Sequence, residues 1–157
     1  MTKNMTLERY FKEHLKGDGF KKSSKRRTWF KKLNNNTFFI LNMEKSRWNN
    51  CFYFNIGINF SGIERKMGWD EKHPDICSCT VSSRAEQFEN NRTKLHLKLM
   101  ASGGVPDDCN LELIQNTYDY IIDISQKTSS IQDFINNFNH KDSLLQNYAE
   151  WVVSAYE

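Results

Sequence analysis

Between Cys51 and Phe60, large apolar side chains alternate with smaller or polar ones. Phe52, Phe54, Ile56, Ile58 and Phe60 fall on one face, and Cys51, Tyr53, Asn55, Gly57 and Asn59 on the other. A period of two predicts a strand with one face buried. Gly57 has no side chain to pack, which predicts a bulge or the close approach of another group. Thr37 to Lys45 alternates less cleanly. Phe38, Ile40, Asn42 and Glu44 share one face, and Phe39, Leu41, Met43 and Lys45 the other. Both faces are apolar at the start and polar at the end, as in a strand that leaves the core toward a loop. The connection Ser46-Arg47-Trp48-Asn49-Asn50 is short enough to pair the two strands antiparallel. Its two Asn tolerate the left-handed backbone that a turn requires.

The same reading extends in both directions. Leu7, Phe11, His14 and Leu15 recur at helical spacing, so Thr6 to Lys16 predicts an amphipathic helix capped by Thr6 and ended by Gly17. Lys25 to Leu33 predicts a first strand, its lysines suiting a sheet edge, and Asn34-Asn35-Asn36 a turn into Thr37. Ile76 to Ser82 alternates again and predicts a fourth strand, with Cys77, Cys79 and Val81 on one face. Leu95, Leu97 and Leu99 alternate with His96, Lys98 and Met100; a fifth strand and a helix compete there. After Gly103-Gly104-Val105-Pro106 the period becomes helical. Leu111, Ile114, Tyr118, Ile121, Ile122 and Ser125 describe a long helix, with Asp107 or Asp108 near its start. Ser130 and Asp133 resemble a capping box before Ile131, Phe134, Ile135 and Phe138. Asp142 is placed to cap a last helix carrying Leu144, Leu145, Tyr148, Trp151, Val152 and Ala155. The expected fold is α+β: an N-terminal helix, an antiparallel four- to five-stranded sheet, then two to three C-terminal helices. Residues 1–157 read as one domain, with the helix and sheet in 1–102 and the helical end, 103–157, packed on it.

Composition adds a charge asymmetry to this picture. Residues 1–50 carry thirteen Lys/Arg against four Asp/Glu, net +9; residues 51–104 are +1 and residues 105–157 are −7. Two readings follow: the basic and acidic ends face each other across the fold, or a basic surface awaits an anionic partner. No secretory leader and no run of ~18 apolar residues is present, so a cytoplasmic protein outside the membrane is expected. The four Cys, at 51, 77, 79 and 109, lack a C-x-x-C pair and read as free thiols in a reducing compartment.

Candidate chemistry is sparse. His73, Cys77, Cys79 and Cys109 are soft donors, but their spacing is not that of paired zinc ligands, so no metal and no cofactor is expected. No G-x-S-x-G, H-E-x-x-H, P-loop or G-x-G-x-x-G occurs, and the chain reads as non-catalytic. Lys21, Lys22, Lys25, Arg26, Arg27 and Trp29 combine cations with an aromatic ring, the elements of a nucleic-acid-binding surface. The other candidate is a binding face made by Lys45, Ser46, Arg47, Trp48, Tyr53 and Asn55, with Arg84 approaching from the fourth strand. Trp, Arg and Tyr are the residue types that dominate binding hot spots. The competing assignment is that these residues only cover the back of the sheet beneath a C-terminal helix.

Gly19-Phe20-Lys21-Lys22, Thr28-Trp29-Phe30, Asn42-Met43-Glu44-Lys45-Ser46-Arg47-Trp48 and Phe52-Tyr53-Phe54-Asn55-Ile56-Gly57-Ile58 resemble the pattern of a bacterial family known as domain of unknown function 4304. That family shows a Gly-Phe-Lys-Lys opening, a Trp or Tyr strand, a Gln-Lys-Ser turn and an Asn-hydrophobic-Gly strand. Glu44 stands here where Gln is usual, and Cys79-Thr80 with Arg84 where Cys-His and closely spaced arginines often follow. The resemblance covers roughly residues 7–84 and implies a soluble bacterial α+β domain without an established activity. Small bacterial domains of this kind sometimes act as immunity proteins beside polymorphic toxins. By that analogy the expected partner is a protein such as a toxin. Nucleic acid is the alternative, and no membrane partner is expected.

Overall fold

The computed structural model describes residues 5–63, 69–88 and 104–156. Helix α1 (Leu7–Gly17) is capped by Thr6, whose side chain accepts from the Arg9 N–H. It buries Leu7, Phe11 and Leu15. The helix ends at Gly17, with Asp18 as its C-cap, and the left-handed position that follows is Gly19, at φ +89°. Asp107 serves the start of this helix: its Oδ1 accepts from the Glu8 N–H at 3.0 Å and its carbonyl from the Leu7 N–H at 2.8 Å. Asp107, which also lies near the start of the long C-terminal helix, thus secures the first helix.

Among the described residues the sheet is antiparallel and six-stranded. β1 (Lys21–Lys22), β2 (Thr28–Asn34), β3 (Thr37–Lys45), β4 (Cys51–Phe60) and β5 (Val81–Arg84) lie in sequence order, and β6 (Val105–Pro106) shares the free edge of β4 with β5. The hairpin of β3 and β4 is continuous from Thr37↔Phe60 to Lys45↔Phe52. The first strand begins later than expected. Arg27 adopts φ +48°, which interrupts extended backbone, and the Ser23 N–H closes the turn onto the Thr28 carbonyl. The separate β1 then pairs outside part of β2. Gly104, at φ +71°, lies where an added Cβ would stand 2.7 Å from the Phe52 carbonyl oxygen. Only glycine admits β6 to that edge.

The fourth strand is shorter than the alternation implied. Ile76–Ser78 is a 3₁₀ turn, because the Asp75 side chain takes the Cys77 N–H at 2.9 Å and holds the backbone out of the ladder. Cys77 is exposed, Cys79 packs with Phe30, Phe38 and Ile40, and Val81 enters the main core, so the three do not share a face. A second 3₁₀ turn, Ala85–Phe88, follows β5. The expected element at 95–100 lies outside the described residues.

α2 (Leu111–Lys127), α3 (Ile131–Phe138) and α4 (Gln146–Tyr156) complete the described chain. Asn110, not Asp107 or Asp108, caps α2 by accepting from the Leu113 N–H; Ser130 caps α3 as expected. Ahead of α4 it is Ser143, not Asp142, that accepts from the Leu145 N–H. Leu111, Leu144 and Trp151 belong to the predicted apolar stripes but are exposed. Their neighbours Ile114, Tyr118, Ile121, Leu145 and Val152 are buried. The helices cover the sheet face that carries Phe39, Leu41, Met43 and the Phe/Ile row of β4, forming one core with α1. Tyr118 donates its hydroxyl to Asp18, tying α2 to the turn after α1. Burial, then the hydrogen bond to Asp18, pushes that phenol upward. Among the described residues no helix is long and apolar enough to cross a membrane.

Candidate functional site

The sheet face turned away from the helices is divided in two. Its rows follow from the register. Toward the β2–β3 turn lie Lys32 and Phe38, then Phe30, Ile40 and Gly57. These apolar positions are roofed by the segment carrying Trp69, Ile76 and Cys79. Gly57 permits the roof to sit down: a Cβ there would come 2.6 Å from Cys79 Sγ and 2.9 Å from Ile76 Cδ1. The expected close approach at this glycine is therefore the protein's own covering segment.

The next rows are polar, with Asn42, Asn55 and Arg84 half-buried. Thr28, Asn42, Asn55 and Arg84 stand side by side on four strands. Asn55 Nδ2 donates to Asn42 Oδ1 at 3.0 Å, and Asn42 Nδ2 donates to Thr28 Oγ1 at 3.0 Å. The following row pairs Glu44 with Tyr53. Arg84 reaches diagonally into it. One Nη meets Glu44 Oε2 at 2.9 Å, and the guanidinium lies 4.5 Å from the centre of the Tyr53 ring. Nη1 is buried and has no hydrogen-bond partner among the described residues. Two helical tyrosines fix the strand that delivers Arg84. Tyr148 Oη donates to the Ser82 carbonyl at 3.0 Å and Tyr120 Oη to the Ala85 carbonyl at 2.9 Å.

At the end of this polar half lies a concavity of about 530 Å³, lined by Glu44, Lys45, Ser46, Arg47, Trp48, Tyr53, Arg84 and Glu86. Ser46 Oγ accepts from the Trp48 and Asn49 N–H groups, which folds the loop back and raises Trp48 at its rim. The indole is 89% exposed, an unusual state for so large an apolar ring. Glu86 is half-buried, and burial raises its carboxyl above the usual range, with its own backbone N–H and the Arg84 charge opposing.

Six of the seven expected binding residues, Lys45, Ser46, Arg47, Trp48, Tyr53 and Arg84, thus line one concavity. Asn55 stands behind it, engaged with Asn42. Lys45 differs from its neighbours: it pairs with Phe52 across the hairpin and its ammonium lies 6.0 Å from the Phe52 ring, on the helical side. Glu44 and Glu86 were not among the candidates. Glu44 was within reach of a register count, because pairing Asn42 with Asn55 puts Glu44 opposite Tyr53; Glu86 follows a strand whose true end no periodicity marked.

The basic segment is dispersed. Trp29 is buried and presents no stacking face. Lys22 donates to the Ser23 and Lys25 carbonyls, Lys25 lies 3.9 Å from Asp75, and Arg27 bonds Glu8 at 3.1 Å. Lys21 and Arg26 are exposed. His73 and Cys77 border one depression, whereas Cys79 is fully buried and does not line it. Among the described residues no group of three or more His, Cys, Asp and Glu gathers in the manner of a metal site.

A family model described as "Domain of unknown function (DUF4304)" matches residues 11–141. The chain belongs to that family. In this DUF4304 chain the matched span includes the sheet and every residue of the Trp48 concavity. No curated protein and no solved structure matches the chain.

Proposed function

We propose that this is a non-catalytic protein-interaction module of the bacterial cytoplasm, of the immunity-protein kind, which binds a partner protein across the open half of its sheet. The observation that carries the reading is the exposed Trp48 indole beside the Arg84–Tyr53 stack. An unburied Trp next to a pre-positioned Arg and Tyr is the composition of an interface hot spot. Preorganisation supports it further, since the Tyr148 and Tyr120 hydroxyls hold β5 and so limit the ordering cost at Arg84 on binding.

The test is affinity capture from a lysate of the source organism, with and without nuclease, using the wild-type chain, Trp48→Ala and Arg84→Ala. A protein retained by the wild type after nuclease treatment and lost with either variant is the expected result. A partner held equally by all three removes the Trp48 concavity as the site. Loss of every partner on nuclease treatment replaces this reading with nucleic-acid binding through Lys21, Lys22, Lys25, Arg26 and Arg27.

A further inference from the structure

The Trp48 concavity carries both halves of a contact. Its rim bears a knob, the exposed indole that Ser46 raises. Beside the knob lies a hollow of about 530 Å³, roomy enough for an aromatic side chain. The knob does not fill its own hollow.

The lining of the hollow suits an indole. Arg84 lays its guanidinium 4.5 Å from the centre of the Tyr53 ring and stays partly exposed. A second ring against that guanidinium completes a cation–π sandwich. A buried indole N–H needs an acceptor, and Glu44 and Glu86 place carboxylates in the lining.

The charges sort in the same way. Glu44 holds Arg84 at 2.9 Å, and the Lys45 ammonium lies by the Phe52 ring on the helical side. That leaves Arg47 and Glu86, neither of which forms an ion pair among the described residues. Glu86 is half-buried, a costly state for an unpaired carboxylate. A uniformly acidic partner would satisfy Arg47 alone, and a uniformly basic one Glu86 alone. A surface that carries knob and hollow, cation and carboxylate, is complementary to itself. A two-fold contact requires that property, because each group of one copy meets its complement on the other.

We propose that a second copy of this chain occupies the concavity, in a two-fold dimer. Each Trp48 enters the other copy's hollow against Arg84, and each Arg47 pairs with the other copy's Glu86. The inference rests on reading the Trp48 face as a protein-binding site and names one occupant of it, which any different partner must displace. The contact is small and therefore weak. The Ser46 N–H bond to the Cys51 carbonyl already holds the loop, which limits the ordering cost.

The experiment is sedimentation velocity of the full chain from micromolar to millimolar concentration. It compares wild type, Trp48→Ala, Arg47→Glu, Glu86→Arg, an equimolar mixture of the last two, and Trp151→Ala, which alters an exposed tryptophan elsewhere. Wild type and Trp151→Ala are expected to pass from monomer to dimer as concentration rises. The three variants at the concavity are each expected to weaken dimerisation at least about tenfold. The mixture is expected to restore it, since each copy then offers the complement of the other's altered charge. A chain monomeric at every concentration overturns the proposal. So does a dimer that Trp48→Ala leaves intact, or a mixture no tighter than its components. Trp48 and Arg47 are exposed, so their variants decide the matter alone if Glu86→Arg does not fold. If the wild type is monomeric while capture from lysate still depends on Trp48, the dimer fails and the binding-site reading stands. If neither depends on Trp48, both fail.

Discussion

Replacing Gly57 by Ala tests the packing that divides the sheet face. The added Cβ would stand 2.6 Å from Cys79 Sγ, 2.9 Å from Ile76 Cδ1 and 3.2 Å from Cys79 Cβ. Ile76 is only half-buried and its terminal methyl can swing aside. Cys79 cannot move so easily: it is fully buried and its thiol donates to the Asp75 carbonyl at 3.5 Å. The roofing segment must therefore lift. Overpacking of this kind costs about 1–3 kcal/mol. The strand gains back roughly 0.5–1 kcal/mol by losing a glycine, leaving a net destabilisation of about 1–2 kcal/mol. For a chain of this size that lowers Tm by roughly 2–8 °C. Urea unfolding with scanning calorimetry measures it. The informative comparison is the double variant Gly57→Ala/Cys79→Ala, in which the nearest obstructing atom is gone. There the alanine should cost at least about 0.5 kcal/mol less than in the wild-type background. A Gly57→Ala protein as stable as wild type, or one penalised equally in both backgrounds, would refute the close-approach argument.

Arg84→Ala should change stability by about 1 kcal/mol or less, because its Glu44 pair is largely exposed and its ring contact is worth roughly 0.5–1 kcal/mol. A loss well beyond that in urea unfolding would make Arg84 a structural residue. Glu86→Gln tests the buried carboxyl. Folding raises the Glu86 pKa, so the native state holds that proton more tightly than the unfolded chain. The associated stability is present below the unfolded pKa and lost as pH rises through the folded one. The advantage of Glu86→Gln over wild type should accordingly grow as pH rises from about 4, and a pH-independent difference would contradict it. Asp107→Ala removes the acceptor for the Glu8 N–H and should cost about 1 kcal/mol, read as a lower urea midpoint at unchanged slope; no change would show the Leu7–Asp107 backbone bond to suffice.

The sheet was legible where one periodicity governed both faces. Phe52 to Phe60 needed no tertiary information, and the hairpin follows from its alternation and a five-residue connection. What escaped was decided by single local contacts. Asp75 diverts Ile76–Ser78 from the strand its alternation implied, and Arg27 delays β2 by taking a left-handed conformation. Both are side-chain or dihedral choices that a period of two does not encode. Asp107 does lie just ahead of α2, but its hydrogen-bond partners are Leu7 and Glu8, a hundred residues away, which no local signal shows. The candidate site was visible as residue types around Trp48. Its depth was not, because Glu86 enters only through the turn after β5.

The row of Thr28, Asn42 and Asn55 has a consequence for how the sheet finds its alignment. Sliding β4 along β3 by one residue would turn its phenylalanines to solvent and is forbidden by that alone. A slide by two keeps every apolar side chain on the same face, and the Phe/Ile pattern barely resists it. It would, however, set Asn42 against Gly57 or Tyr53 and Asn55 against Ile40 or Glu44, abandoning the bond from Asn55 to Asn42. The amides thus do for translation what the aromatic rings do for facing: they mark one notch among several that grease alone would accept.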